Sequence, residues 1–407
     1  MTADATTPSP QGPGGLTSGM RRLVGMSGNA RQYGIFGALI VIVLLFQVLT
    51  DGRLLMPNNV AALFQQNAYV MILAIGMVMV IVAGHIDLSV GSVVAFVGGV
   101  VAVSIRDWGL PWLAAVVVGL AIGLLVGMWQ GFWVAYVKVP AFIVTLAGML
   151  LFRGLALVVV GETISGLPAG FVAVSKGSLP NVLGFIGNAD VVTLLIGALA
   201  IAFAVYSFVR SRRSRRKHGL STESFAVLVI KCVATAAAIA IVTVILSYSA
   251  GGTPIVLVIC GVLIVLYSFV MGRTVFGRHI YAIGGNRQAA ALSGVDNARV
   301  DFWIFANMGL LAGVAAVVTT ARAGAAIAAA GQNYELDAIA ACFIGGAAVT
   351  GGVGRVAGAI VGALIMGVLN MGLSILTVDP SWQMAIKGLV LLVAVAFDLI
   401  NKRRGGS

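Results

Sequence analysis

One short polar stretch interrupts the apolar pattern of this chain with side chains that could do chemistry. The stretch reads VAGHIDLSVGSVV and places His85, Asp87, Ser89 and Ser92 between two long runs of apolar residues. A carboxylate in such a position could carry a proton or a cation, contact a polar substrate, or accept from the free N–H groups at the start of a helix. We favour the last role and predict that Asp87 and Ser89 cap the helix that follows.

The other ionisable residues in apolar surroundings are few and do not form a recognisable charge pathway. A voltage sensor needs a ladder of arginines, and a proton pump needs a chain of acidic residues and histidines. Most of the candidates lie near the ends of apolar runs, where a long side chain can reach water. For Arg153, inside MLLFRGLAL, we expect pairing with a carboxylate or with free carbonyl groups of a helix. The candidates are His85, Asp87, Arg153, Glu162, Arg322, Glu335, Asp337 and Lys387.

Catalytic and metal-binding motifs are missing from the sequence. There is no phosphate-binding G-x-x-x-x-G-K-[ST] loop, no G-x-S-x-G, no H-E-x-x-H and no dinucleotide fingerprint. The three cysteines, Cys232, Cys260 and Cys342, have neither CxxC nor Cys/His spacing, so the sequence predicts no disulfide framework and no zinc site. We therefore assign no catalytic residue, no metal ligand and no cofactor to this chain.

The elements that position these residues must be membrane helices. Of the 407 residues, 60% are hydrophobic and only 9% are charged, whereas about 25% of a soluble domain is charged. Several apolar runs reach the roughly 20 residues that cross a bilayer, and their continuity excludes a barrel of short alternating strands. The 53 glycines suit helices that pack closely. The sequence predicts an all-α polytopic transmembrane bundle of about 10–12 spans.

Charge and composition divide the chain into segments. Residues 1–33 are rich in Pro, Gly, Ser and Thr and lack the apolar core of a signal peptide, so we predict a disordered cytoplasmic tail. The transmembrane domain covers 34–404, with a C-terminal tail at 405–407. Basic segments at 210–224 and 272–299 predict cytoplasmic loops, with both termini on that side. The excess of Lys and Arg marks cytoplasmic segments, so the net charge of +12, which would suggest nucleic acid in a soluble protein, does not do so here.

Two glycine-broken segments near the ends of the chain resemble each other. VGSVVAFVGG begins at Val90 and VGRVAGAIVG begins at Val353, and paired broken helices often lie on a transport path. Coincidence between two Gly/Val-rich strings explains the similarity equally well. The segment Leu336–Val349 is short, so it either spans or re-enters the membrane. The residues predicted to form the helix breaks are His85, Asp87, Gly91, Gly351, Gly352 and Gly354.

The polar segment RTVFGRHIYAIGGNRQAAALSGVDNARV is long enough to have structure of its own. Asn286 can cap a short helix, Gly294 can end it, and Gly284 and Gly285 permit a tight turn before it. The segment also carries apolar side chains that need cover in water. It therefore predicts a short cytoplasmic helix that docks in the groove of a partner.

Three motifs together resemble a known family. IDLSVGS, GRHIYAIGGNRQAAALSGV and ELDAIAACFIGGAAVTGGVGRVAGAIVGALIMGVLN are similar to segments of the permease subunits of bacterial ABC importers for monosaccharides, most closely those of the xylose type. The resemblance covers about Gly34 to Arg404. It implies a fold like that of the vitamin B12-type importer permeases, in the plasma membrane of a bacterium.

The resemblance also implies partners. They are a second permease copy, an ATP-binding subunit with two nucleotide-binding domains that holds the ATP and magnesium, and an extracytoplasmic sugar-binding protein. The segment 278–294 would press on the ATP-binding subunit. This chain departs from the family's usual pattern at His85, Arg287 and Arg355. The residues implied in coupling are Arg278, Tyr281, Gly284, Gly285, Asn286, Ala290, Leu292, Ser293 and Gly294.

The expected function is that of a monosaccharide permease, with xylose or a related sugar as substrate, which works by alternating access. A neutral, hydroxyl-rich sugar needs only weak polar contacts on its way, and the candidates are Asp87, Ser89, Ser92, Asn307 and Asn370. The alternative is a secondary transporter driven by H⁺ or Na⁺. Such a transporter needs a carboxylate within the membrane, and Asp87 is the residue that could supply it.

Overall fold

The computed structural model describes residues 18–219 and 224–405, and helices dominate both ranges. The predicted all-α bundle is therefore confirmed. The strands are short: β1 (Ile164–Ser165) pairs with β4 (Ala325–Ala326), and β2 (Phe185–Ile186) pairs with β3 (Ala189–Asp190), both antiparallel. The helices of the described residues are α1 Ser18–Leu49, α2 Pro57–Val82, α3 Val90–Arg106, α4 Trp112–Ala135, α5 Ala141–Val160, α6 Ala169–Lys176, α7 Val191–Lys217, α8 Phe225–Ser247, α9 Ile255–Arg273, α10 Val275–Gly285, α11 Arg287–Leu292, α12 Asn297–Ala323, α13 Tyr334–Ile344, α14 Val356–Ile375 and α15 Pro380–Gly405.

Length and composition identify the membrane spans. Within the described residues, 8 helices are long and apolar enough to cross a membrane: α2, α4, α5, α7, α8, α9, α12 and α14. Shorter apolar helical segments lie in α1, α3 and α15. The 8 long apolar helices make the chain a multi-pass membrane protein. The total of 10–12 crossings stays a prediction.

Helix α2 forms the centre of the bundle. In its most apolar stretch 89% of the residues are buried, whereas none are buried in the corresponding stretch of α8. α2 packs against α9, α12, α13 and α14, while α8 packs mainly against α7. The outer helices thus present apolar side chains to lipid, and α2 presents them to other helices.

Helices α4 and α12 approach each other through glycines spaced four residues apart on α4: Gly119, Gly123, Gly127 and Gly131. A Cβ atom on Gly123 would lie 2.6 Å from the carbonyl oxygen of Gly309. Because no side chain fits between backbones this close, α4 and α12 form a tight pair of the kind that small residues allow in membranes.

Three predicted segments differ from the structure. Helix α1 begins at Ser18, so residues 18–33 are helical and not a disordered tail; the three prolines of that region, Pro8, Pro10 and Pro13, precede the helix. The basic segment 210–224 is helical as far as Lys217, because α7 continues beyond its apolar part. Residues 1–17, 220–223 and 406–407 lie outside the described residues, and α15 extends to residue 405.

The ambiguous segment Leu336–Val349 contains the end of a short helix. α13 has 11 residues, which at 1.5 Å per residue is about 16 Å, roughly half the thickness of a bilayer core. It cannot cross alone, so re-entry is the alternative that the structure favours. α13 is followed by an irregular segment, 345–355, that leads into α14.

Candidate functional site

The candidate site lies at the end of the bundle where α10 and α11 lie, which we call the α10 end. The predicted short helix is present as α11: the Asn286 side chain accepts from the backbone N–H of Ala289 at 2.9 Å. Gly294 follows the end of α11 and prevents the helix from continuing, with a φ of 85°, a conformation that glycine adopts without strain. The cap and the stop that the sequence predicted are therefore confirmed as local structure.

The first helix break follows α2. Asp87 does not cap α3, because its Oδ1 accepts from the backbone N–H and the hydroxyl of Ser89, at 2.8 and 2.7 Å. Ser89 precedes α3 but makes no capping bond with its side chain; its Oγ instead accepts from Gln130 Nε2 at 2.6 Å. The capping prediction was wrong in this respect. The Asp87 side chain bonds within a local turn and the Ser89 side chain bonds to α4, so neither side chain caps the first turn of α3.

The second break precedes α14, and it touches the first. Gly351 and Gly352 turn the chain with φ values of 79° and 74°, and the N–H of Gly352 donates to the carbonyl oxygen of Val82 at 2.8 Å. Val82 is the last residue of α2. The two predicted breaks therefore meet at one point. Gly91 does not belong there, because it lies in the first turn of α3 against Gly331.

The end of α10 contacts both breaks at once. A Cβ atom on Gly284 would lie 1.7 Å from the Val82 carbonyl oxygen and 2.6 Å from the Gly352 nitrogen. The Tyr281 hydroxyl donates to the carbonyl oxygen of Gly354 at 2.6 Å, and burial raises the pKa of Tyr281, so the phenol keeps this proton. The predicted tight turn at Gly284 and Gly285 was wrong: both residues are helical, and Gly284 serves close packing.

An ion cluster joins the same elements. The Asp301 carboxylate, on α12, is fully buried; its Oδ1 lies 3.2 Å from His85 Nε2, and its Oδ2 accepts from the Arg287 guanidinium. The Arg287 carbonyl also accepts from the Asn297 side chain at 2.9 Å. Two of the three departures from the family pattern, His85 and Arg287, thus bind one carboxylate. Sequence reasoning missed Asp301; its position inside the apolar run VDFWIF was the available signal.

The remaining residues of the predicted coupling set lie around these contacts. Arg278 Nη1 approaches the carbonyl oxygen of Arg273 at 3.4 Å, and Ser293 Oγ donates to the Ala289 carbonyl at 2.9 Å. Ala290 is buried, whereas the side chain of Leu292 is 91% exposed. α11 therefore presents a large apolar side chain away from the bundle.

The predicted substrate-path residues do not form one cluster. Asp87, Ser89 and Ser92 are buried together near the start of α3. Asn307, on α12, accepts from the hydroxyl of Tyr267 of α9. Asn370, on α14, donates to Asn67 Oδ1 of α2 at 3.1 Å. The structure thus places these side chains in three separate hydrogen-bonded groups on different helix pairs.

A second polar network lies inside the bundle, and its pairing was not predicted. The Tyr69 hydroxyl donates to Asp337 Oδ2 at 2.6 Å, and Lys387 Nζ is 3.4 Å from the same carboxylate. The ring of Tyr69 also stacks on that of Tyr334, with centroids 3.7 Å apart. The network joins α2, α13 and α15, three elements that are far apart in the sequence.

Arg153 binds backbone carbonyl groups, but not the helix carbonyls that we expected. Its Nη1 donates to Ala328 and Ala330 at 2.9 and 2.7 Å. These carbonyls belong to the irregular segment between β4 and α13 and not to a helix end. Non-helical backbone within a membrane domain needs such partners for its polar groups, so Arg153 stabilises this segment.

An open cavity of about 770 Å³ adjoins the ion cluster at the α10 end. Its lining includes Gly84, His85, Lys138 and Arg287, which come from the first break, the α4–α5 turn and α11. The cavity separates the α4–α5 turn from the start of α12. The α10 end therefore combines close backbone contacts on one side with an open, basic cleft on the other.

Comparison with known proteins identifies the family. Residues 59–395 match the family model described as branched-chain amino acid transport system / permease component. The chain belongs to this family. Members similar to this permease include the xylose transport system permease protein XylH of Haemophilus influenzae, 41% identical over 92% of this chain and 98% of the relative. XylH of Escherichia coli is 42% identical over 92% of this chain and 93% of the relative.

The ribose import permease protein RbsC of Bacillus subtilis is more distant, at 32% identity over 93% of this chain and 96% of the relative. No solved structure matches the chain. The XylH relatives cover 92% of this chain, so the resemblance noted in the sequence motifs is confirmed.

Proposed function

We propose that this chain is the permease subunit of an ATP-driven importer of a monosaccharide, with xylose as the substrate to test first. The observation that carries the proposal is the meeting of α10 with both helix breaks at Gly284. The similarity to the xylose permeases supports the choice of sugar. In this proposal the α10 end, α7's basic end and both termini face the cytoplasm of a bacterium.

The coupling step follows from the packing. The exposed Leu292 docks on a partner subunit with two nucleotide-binding domains, which binds ATP with magnesium and hydrolyses the ATP. A displacement of α10 then reaches Val82 and Gly352 through backbone contacts, with no compressible side chain between them. Because these residues end α2 and precede α14, their movement tilts or shifts both helices. This is the change that alternating access requires.

The substrate path is proposed to lie along α2, α3, α12 and α14. Its polar candidates are still Asp87, Ser89, Ser92, Asn307 and Asn370. Asp87, Ser89, Asn307 and Asn370 make hydrogen bonds within the bundle that sugar hydroxyls could replace. The buried Asn370 Oδ1 has no hydrogen-bond partner, so it could accept from a sugar hydroxyl without breaking an existing bond. Affinity for the sugar is then supplied by an extracytoplasmic binding protein, and a second copy of the permease completes the path.

Uptake of labelled xylose by cells that depend on this chain tests the proposal. Leu292→Asp should abolish ATP-driven uptake, because it places a charge on an apolar docking surface, while Leu292→Met should retain it. Because Leu292 is exposed, neither substitution should change the amount of the protein in the membrane. Normal uptake by Leu292→Asp would overturn the docking assignment.

A second comparison separates ATP from an ion gradient as the driving force. Uptake that stops on ATP depletion but survives an ionophore supports the proposal. Uptake that stops with the ionophore alone, or sugar movement by the purified chain in liposomes without an ATP-binding subunit, would instead favour the ion-coupled alternative through Asp87.

A further inference from the structure

Three charged or titratable side chains from three separate segments meet at the α10 end. His85 lies in the first helix break, Arg287 is the first residue of α11, and Asp301 lies on α12. The side chain of Asp301 has no exposed surface, while those of Arg287 and His85 are 46% and 15% exposed. A buried carboxylate needs partners, because an unpaired charge away from water is strongly unfavourable.

The two oxygens of Asp301 serve different segments. Oδ1 faces His85 of the first break, and Oδ2 accepts from Arg287 of α11. Asp301 itself stands on α12, whose glycine-lined contact with α4 admits no side chain and therefore fixes the helix. Asp301, on the fixed helix α12, thus binds both α11, which in the proposed function contacts the partner subunit, and the first break, which follows α2.

We propose that Asp301 is a positioning residue that sets how the movement of α11 is transmitted to the break after α2. The inference rests on the proposed function, since it assigns a role within ATP-driven import. It concerns a route separate from the contacts of Gly284 and Tyr281. The Gly284 contacts pass through backbone atoms and the Tyr281 contact passes through a neutral hydroxyl. The Asp301 contact depends on charge and is broken by substitutions that keep the shape of the side chain and remove its charge.

His85 adds a second contact to the same carboxylate. His85 Nε2 is 3.2 Å from Asp301 Oδ1 and 3.4 Å from Arg287 Nη1, so it cannot donate to the first and accept from the second at the same time. Lys138 lines the same cavity from the α4–α5 turn, and the ring of Phe305 packs near the imidazole from α12. A substitution of His85 therefore changes how the first break is held to α12.

The test uses the assembled importer with its ATP-binding subunit and binding protein, in liposomes. The quantity measured is sugar moved per ATP hydrolysed. Asp301→Asn and Arg287→Gln should each lower this ratio on the order of tenfold. The double variant should be no worse than either single variant, because both remove the same contact. Arg299→Gln removes a cation from the exposed side of the same α12 turn and is the matched control.

The ratio of sugar moved to ATP hydrolysed distinguishes positioning from a merely structural role, because a structural defect lowers the amount of working importer and leaves this ratio unchanged. His85→Gln, which removes the imidazole from Asp301 Oδ1, should lower the ratio as well. If Asp301→Asn fails to assemble, the double variant with Arg287→Gln, which leaves no unpaired charge, and His85→Gln still provide the measurement.

Additive losses, or an unchanged ratio in Asp301→Asn and Arg287→Gln, would overturn the inference. If the unsubstituted importer moves no sugar with ATP at all, the proposed function fails instead, so the two failures are distinguishable.

Discussion

The sharpest prediction concerns two adjacent glycines of α10. A methyl group on Gly284 would lie 1.7 Å from the Val82 carbonyl oxygen, and ordinary contact begins at 3.4 Å. The distance between α10 and the end of α2 must therefore increase by about 1.7 Å. The Val82 carbonyl oxygen and the nearby Gly352 nitrogen are both backbone atoms, so neither can move away by rotation of a side chain. A shift of this size exceeds what the 2.6 Å bond from Tyr281 to Gly354 tolerates.

We expect Gly284→Ala to cost about 1–3 kcal/mol through overpacking and to lower the initial rate of xylose uptake by about tenfold or more, since 1.4 kcal/mol corresponds to a factor of ten. Gly285→Ala is the paired control. A Cβ atom there meets open space, and alanine favours the helix by up to about 1 kcal/mol. Uptake is measured at equal membrane levels of the two variants.

Two results would refute this reasoning. If Gly284→Ala imports xylose at the unsubstituted rate, the close approach of α10 to α2 is not needed for transport. If both alanine variants lose uptake equally, the loss comes from the surface that meets the partner or from backbone freedom, and not from the contact with Val82.

Three further predictions test the packing and the polar contacts of the bundle. Gly123→Leu should reduce the yield of folded protein in size-exclusion chromatography, because α12 leaves no room there, while Gly261→Leu, which meets open space, should not. Lys387→Met should lower the thermal unfolding midpoint, because it leaves Asp337 without its cation. The loss in free energy of unfolding should stay below the roughly 3–5 kcal/mol of a fully buried ion pair, since the side chain of Lys387 is 23% exposed. Arg153→Gln should speed hydrogen exchange in residues 327–331, and unchanged exchange would contradict the role given to its two carbonyl contacts.

Local features of the chain were predictable because local interactions create them. Apolar runs of about 20 residues must be helical in a bilayer, where every backbone polar group needs a partner within its own segment. The Asn286 cap and the stop at Gly294 depend on residues within one turn. The chemical class of the chain also followed from its motifs, since IDLSVGS and the α10–α11 segment are each continuous in sequence.

Packing partners were not predictable in the same way. α2 and α8 are both apolar enough to cross a membrane, yet α2 is largely buried in the bundle and the apolar stretch of α8 is not buried. Composition does not separate these positions, because lipid tails are as apolar as the side chains of a protein interior. Likewise, Gly284 and Gly285 form one dipeptide in the sequence, and only the approach of Val82 distinguishes them.

The sequence by itself determined that this protein is a helical membrane permease. It also indicated that two glycine-broken segments and one short helix carry the polar residues that interrupt the apolar pattern. Only the tertiary structure decided that the three meet at the α10 end. His85 and Asp301 are 216 residues apart, and His85 and Arg287 are 202 residues apart. Contacts over such separations depend on how the helices pack, and a buried carboxylate shows its partners only once the chain has folded around it.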